Sequence, residues 1–484
     1  MAVIKIVKIH PALGIARLGN SPTDFFIGPE WPGNSATPPG GYRDAQSRVK
    51  RQAARFRLFG YDASGRVIQE ITDADADITW TVHLANKKAA GRKFDGLNSK
   101  PPWRNPRVKN RKSLAINPGH RSLQGPNKSA AFDTGAFRGT IVPLGEARTD
   151  DQGRLVVLGG FGHSASPTNA PIVTFENNNG WYDDTSDGPI TATVKLDGSV
   201  KSIKAVPAWI IVAAPKFAQA FESVTTLYDV LLQVAVDQLG FTLPATPSFT
   251  NDVYPILNRV MQMKWVSQLA GSAHATFQAV IPPPGAPALR TAIFQRLKNP
   301  ADGSGGDMPM VWSDNYAPPK VENQPVTQTQ YNIMKMWADG NFIDDWAGPP
   351  QPSKAITPEG LDRAALEPCV GGPFYPGIEA GWFLRDKFHY VEPFRLSQKS
   401  LAAGDVTKQM SLPWQVDFDA CQFESPLAWW PAQRPDDVFP EGGGPQVPWT
   451  RGIVSSGKGM VKKWYRLGFV VKKGTTYVET ERKP

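Results

Sequence analysis

Apolar residues alternate with lysines from Met1 to Ile9, and a period of two over a short run predicts a strand at 4–9. Five more runs rich in β-branched or aromatic residues carry the same prediction, at 55–61, 78–83, 155–158, 190–196 and 208–213. Each is bounded by Gly, Asp, Asn or Pro. Their spacing implies sheets joined by long loops. Near Phe217 the period changes: Phe221, Val224, Leu227, Leu231 and Val234 recur at helical intervals, and Gly240 closes the run. A second helix is expected over 327–339, with Tyr331, Met334 and Ala338 on one face, Thr327 as N-cap and Gly340 just past the end. A third starts at Thr357-Pro358-Glu359 and runs from Pro358 to Glu367, where Pro368 ends it. Further strands are expected at 414–418 and 464–471. The fold class is α+β and β-rich: short strands in sheets with long Gly/Pro-rich loops, and a few helices concentrated in the second half. The helix near Phe217 divides a β-rich domain, 1–215, from a mixed α/β domain, 216–484.

At 484 residues the chain can bury a large core, and its 44 glycines and 45 prolines are spread along it, as in a turn-rich globular protein. No charged segment followed by a long apolar run opens the sequence, so neither a signal peptide nor a membrane span is expected, and a cytoplasmic location is the default. The net charge of +9 concentrates in Lys87, Lys88, Arg92, Lys93, Lys100, Arg104, Arg107, Lys109, Arg111, Lys112 and Arg121. That stretch is rich in Asn, Gly and Pro and has one aromatic pair, Phe94 and Trp103, in place of a stacking array. It reads as a solvated loop, with no nucleic-acid partner.

Only two cysteines occur, which is no disulfide scaffold, although a Cys369–Cys421 bridge is compatible with the sequence. Cys369 emerges at the C-terminal end of the helix that Pro368 stops and enters PCVGGPFYPGIE (368–379), where glycines permit a sharp turn or a close approach. A free cysteine by itself is most often a small buried hydrophobe. Downstream lies a double tryptophan, Trp429-Trp430, in WWPAQRPDD (429–437).

These two segments, with HPALGIARLGNSP (10–22), KRQAARFR (50–57), HLANKKAA (83–90) and GWYDDTSDGP (180–189), make most of the chain resemble the lysine ε-oxidase and glycine oxidase family. Members of that family depend on cysteine tryptophylquinone, formed by cross-linking a cysteine to a twice-oxygenated tryptophan of the same chain. By this resemblance Cys369 supplies the thioether and one of Trp429 and Trp430 the quinone, with Trp430 favoured. No external cofactor and no metal is implied. The chemistry implied is oxidative deamination of a small primary amine or amino acid through a Schiff base on the quinone. Dioxygen would be reduced to hydrogen peroxide and ammonia released.

The general base is left open among His274 in GSAHA, Asp436 and Asp437, Asp417 and Asp419, and Glu379; each is equally well a core, turn or salt-bridge residue. The chain departs from the family one helical turn before the cysteine, where Ala365 stands in place of an aspartate that helps build the cofactor. Asp362 and Glu367 are the nearest acids, and Glu367 is expected to reach the same space. The resemblance also implies a flavin-dependent monooxygenase as maturation partner and a homo-oligomer. The competing reading is a non-maturing, β-rich binding or scaffold protein.

Overall fold

The computed structural model describes residues 3–94, 100–274, 286–309, 326–371, 383–424, 432–453 and 457–483. Its first half is built on a 13-stranded sheet. The path runs from His120–Gln124 through Ala76–His83, Ser186–Leu196, Ala208–Ala213, Leu13–Arg17, Arg51–Tyr61 and Leu155–Leu158 to Glu146–Thr149 and Ser129–Ala131. Every α-helix among the described residues starts at Leu227 or later. None is long and apolar enough to cross a membrane. The strand-rich α+β class expected from the pattern is the class observed.

At the middle of the sheet the strands Leu13–Arg17 and Ala208–Ala213 run parallel, with Ile15 opposite Ile211 and Arg17 opposite Ala213. Both are buried along their whole length. Alternate residues of a strand face opposite sides. Ala16, Ile210 and Val212 therefore enter the larger core, while Leu13, Ile15, Trp209, Ile211 and Ala213 enter a second one with Leu227, Leu231, Leu366 and Cys369. This second core seats two helices against the sheet. Leu227–Gln238 begins at a capping box, in which the Thr226 hydroxyl accepts from the Asp229 amide while the Asp229 carboxylate accepts from the Thr226 amide. Pro358–Leu366 begins at Thr357, whose hydroxyl accepts from the Gly360 amide.

Two expectations are corrected. Residues 414–418 are not a strand but the start of an α-helix, Trp414–Glu424. The alternation of Trp414, Val416 and Phe418 imitates a strand because Gln415, Asp417 and Asp419 between them are buried as well, so no polar face reveals the helical period. At 464–471, a 3-10 turn, Trp464–Arg466, precedes the strand Phe469–Lys473.

The basic stretch is also only partly a solvated loop. Lys88 is fully buried, donating to Asp183 at 2.8 Å and to the Ser411 carbonyl at 2.9 Å. Arg104 is equally buried and donates to the carbonyls of Lys88, Glu176 and Met410. Charges can be interior when fixed acceptors replace water. These two sew the 83–90 and 180–189 segments to the stretch that leads into the Trp414–Glu424 helix, whose first amide donates to Asp183 at 3.2 Å.

Candidate active site

The helix that delivers Cys369 is pinned to the sheet by Asp362. One carboxylate oxygen accepts from the Ala12 amide at 2.6 Å and meets His10 Nδ1 at 3.0 Å, while His10 Nε2 meets the Tyr61 hydroxyl at 2.9 Å. The helix closes at Leu366, whose carbonyl accepts from the Cys369 amide. The chain then pairs with the approach to the Leu227–Gln238 helix: Leu227 donates to the Cys369 carbonyl, and Gly371 to that of Thr225, each at 3.0 Å. Gly371 sits so close that a Cβ there would lie 1.9 Å from the Thr226 oxygen, so this position of the glycine turn is a steric requirement.

Cys369 is buried, 1% exposed. Its sulfur accepts from Arg17 Nη2 and, as the thiol, donates to the Ala365 carbonyl, both at 3.4 Å. Arg17 is itself 2% exposed, and its Nη1 donates to the Ala214 carbonyl at 3.0 Å. A cavity of about 20 Å³ is lined by Cys369, Ala365, Arg17, Glu30 and Gln52, among others.

Trp429, Trp430 and Glu379 lie outside the described residues. The chain just after the tryptophans is fixed, however. Ala432, Gln433 and Arg434 are buried, and Gln433 donates from its side chain to the Pro215 carbonyl at 3.0 Å while its own carbonyl accepts from the Phe217 amide. Arg434 Nε donates back to the Phe418 carbonyl at 2.7 Å. Between Pro215 and Phe217 stands Lys216, buried, whose ammonium donates to the Pro368 carbonyl at 2.7 Å. Residues 214–217 thus bond to Arg17 and Pro368, the neighbours of the cysteine, on one side and to the post-tryptophan segment on the other. Trp430 is three residues from Gln433, a span of at most about 11 Å of extended chain.

The candidate acids and the histidine form two groups. Glu367 lies at the helix end, with Arg363 Nε at 2.5 Å and Arg259 Nη2 at 3.8 Å from the same oxygen, Oε1. Arg259 in turn holds Glu222 and Asp229. Burial, reinforced by Glu222, pushes the Glu367 carboxyl up to about 7 against the pull of the two arginines. Glu367 and Pro368 line a cavity of about 520 Å³ with Glu222, Arg259, Arg363 and Tyr254.

The second group gathers around Val266–Gln268. Asp436 donates its amide to the Val266 carbonyl, and burial raises its carboxyl to about 7 although Arg434 Nη1 stands 3.5 Å away. The Asp437 carboxylate accepts from the Gln268 amide, the first residue of the helix Gln268–Ala273, which His274 caps. Burial lowers the pKa of His274. Asp417 is buried in the Trp414–Glu424 helix, and Asp419, nearby, is raised by burial. No cluster of metal-ligating side chains occurs among the described residues.

Sequence reasoning did not single out Arg17, Lys216 or Gln433. Arg17 carried a usable signal: it is the one charge in the apolar run LGIARL, and a charge inside a buried strand needs a reason.

Residues 10–212 match the L-Lysine epsilon oxidase N-terminal family, and residues 306–440 the L-lysine epsilon oxidase C-terminal domain. The chain is 28% identical to the L-lysine 6-oxidase of Marinomonas mediterranea, over 87% of its own length and 71% of the relative's. Among solved structures it is similar to the Schiff base intermediate of L-Lys epsilon-oxidase from Marinomonas mediterranea with L-Lys. That match has a TM-score of 0.82 at 25% identity, covering 98% of this chain and 95% of that one. A second structure of that enzyme gives a TM-score of 0.80 at 25% identity, covering 98% and 94%.

Proposed function

Because this chain belongs to the L-lysine epsilon-oxidase family, we propose that it oxidises a primary amine with a cysteine tryptophylquinone made from Cys369 and Trp430, Trp429 being the alternative partner. Its homology makes it an oxidoreductase acting on an amine. The quinone is the finer part of the proposal. Once assembled, it supplies an electrophilic carbonyl for the substrate nitrogen and a sink for two electrons, which dioxygen removes as hydrogen peroxide while ammonia is released.

The observation that carries the reading is the pair of anchors on residues 214–217. Arg17 bridges the Ala214 carbonyl to the Cys369 sulfur, and Gln433, three residues past Trp430, is bonded to Pro215 and Phe217. A thioether between residues so distant in sequence requires a fold that brings them together beforehand, and anchors on one short segment from both sides support that reading. The sulfur is also sheltered from solvent, which protects a thiol from unproductive oxidation before cross-linking.

Around that centre the chain's groups divide the remaining work. Glu367 has one oxygen held by the arginines and a carboxyl that exchanges its proton near neutral pH. It is therefore suited to take a proton from an amine that arrives as the cation. Asp436, raised to a similar range, and His274 are the alternative proton acceptors. The maturation partner is proposed to be a flavin-dependent monooxygenase and the assembled state a homo-oligomer. The division at 215/216 is kept as a proposal on the ground that every strand of the large sheet ends by Ala213.

Co-expression with a flavin-dependent monooxygenase, followed by assay of peroxide release with a panel of primary amines, tests the proposal. Amine-dependent peroxide that disappears in Cys369→Ala is expected, and peroxide release unaffected by that substitution would overturn it.

A further inference from the structure

Arg17 ends a strand whose other residues are all apolar, and it lies on the face shared with Leu13 and Ile15, toward Cys369. Its guanidinium cannot lose its charge in a protein. A permanent positive charge therefore stands 3.4 Å from a sulfur that otherwise belongs to an apolar cluster. Burial alone favours the neutral thiol, and an adjacent arginine favours the thiolate. The thiol's contact to the Ala365 carbonyl, at 3.4 Å, is a weak S–H bond. Ionisation gives up that weak bond and turns the Arg17 contact into one between opposite charges. The cavity that both residues line, about 20 Å³, has room for one water molecule.

We propose that Arg17 readies Cys369 for cross-linking, holding the sulfur as the thiolate and aiming it into the cavity between the Leu13–Arg17 strand, the Arg51–Tyr61 strand and the Pro358–Leu366 helix. This rests on the quinone reading. The thiol proton passes first to water in the cavity, leaving the thiolate beside Arg17. In the cross-linking step one ring C–H bond of the tryptophan breaks and a C–S bond forms. The ring proton passes to water, and the two electrons pass to the flavin-dependent oxygenase, with dioxygen as the terminal oxidant. Arg17 is unchanged and acts only on the charge and direction of the sulfur.

In the full-length chain, produced without the flavoprotein so that no cross-link forms, the thiolate absorbance of Cys369 can be titrated as the difference from Cys369→Ser. The wild-type midpoint is expected below the ordinary thiol value of about 8.5. Arg17→Gln is expected to raise it by at least about one pH unit, with roughly tenfold slower alkylation at neutral pH, and Arg17→Lys to retain most of the wild-type behaviour. A wild-type midpoint at or above about 8.5 overturns the proposal, and this holds even if Arg17→Gln fails to fold. Co-production with the flavoprotein then separates the two ideas. A cross-link formed equally well in Arg17→Gln removes Arg17 from the step, whereas a low thiolate midpoint with no cross-link in the wild type removes the quinone premise itself.

Discussion

Lys216, itself buried, is joined to Pro368 by a hydrogen bond, ammonium to carbonyl at 2.7 Å, that fixes the peptide immediately before Cys369. The same ammonium donates to the Phe221 carbonyl. Lys216→Met keeps the aliphatic bulk but leaves both carbonyls without this donor, at a cost of about 1–3 kcal/mol. A lower denaturant midpoint is expected, together with a reduced fraction of cross-linked chain by mass spectrometry. An unchanged midpoint would show that the bond does not hold the segment.

Gly371→Ala places a Cβ where the Thr226 backbone oxygen stands, and neither partner is a side chain that can swing away. A loss of about 1–3 kcal/mol is expected. Gly442→Ala is the matched control, since a Cβ there meets nothing within 4 Å, and a change within about 0.5 kcal/mol is expected. Equal effects of the two substitutions in thermal melts would contradict the steric account.

Asp362→Ala removes the acceptor shared by the Ala12 amide and His10. The expected cost is again about 1–3 kcal/mol, with Asp362→Asn intermediate because it keeps an acceptor oxygen. Hydrogen exchange should report faster opening of the Pro358–Leu366 helix in Asp362→Ala. Protection equal to that of the wild type would mean that apolar packing alone seats the helix.

Glu367 sets a pH dependence of stability. An unfolded glutamate releases its proton near 4.5, whereas burial holds the folded carboxyl protonated up to about 7. Between those values the folded chain binds the extra proton, so this group's contribution is fully present below about 4.5 and is lost as pH rises towards 7. The slope it adds is at most about 1.4 kcal/mol per pH unit. Asp184, also raised to about 7 by burial, adds a slope of the same sign, so the readout is a difference. Glu367→Gln should flatten the stability profile between pH 4.5 and 7 relative to the wild type, and parallel profiles would contradict the assignment.

The sequence was most legible where one physical signal dominated. The strand Leu155–Leu158 and the helix Gln328–Ala338, capped by Thr327, fall where period and capping residues put them. The Trp414–Glu424 helix was illegible because burial of its polar residues erased the amphipathic face. Lys88 and Arg104 were illegible for a related reason: their acceptors are carbonyls and a carboxylate from segments far along the chain. At the site, Cys369 and the helix leading to it could be read locally. The Arg17–Cys369 and Lys216–Pro368 contacts could not, since 352 and 152 residues separate the partners.

A bond between Cys369 and a tryptophan of its own chain separates the quinone enzyme from a scaffold protein. Peptide mapping by mass spectrometry, on protein produced with a flavin-dependent monooxygenase, tests it most directly. One peptide joining the Cys369 segment to the Trp429-Trp430 segment is expected, heavier than the sum of the two by two oxygen atoms and lighter by four hydrogen atoms. Two separate peptides, with a free Cys369 thiol and unmodified tryptophans, would contradict it.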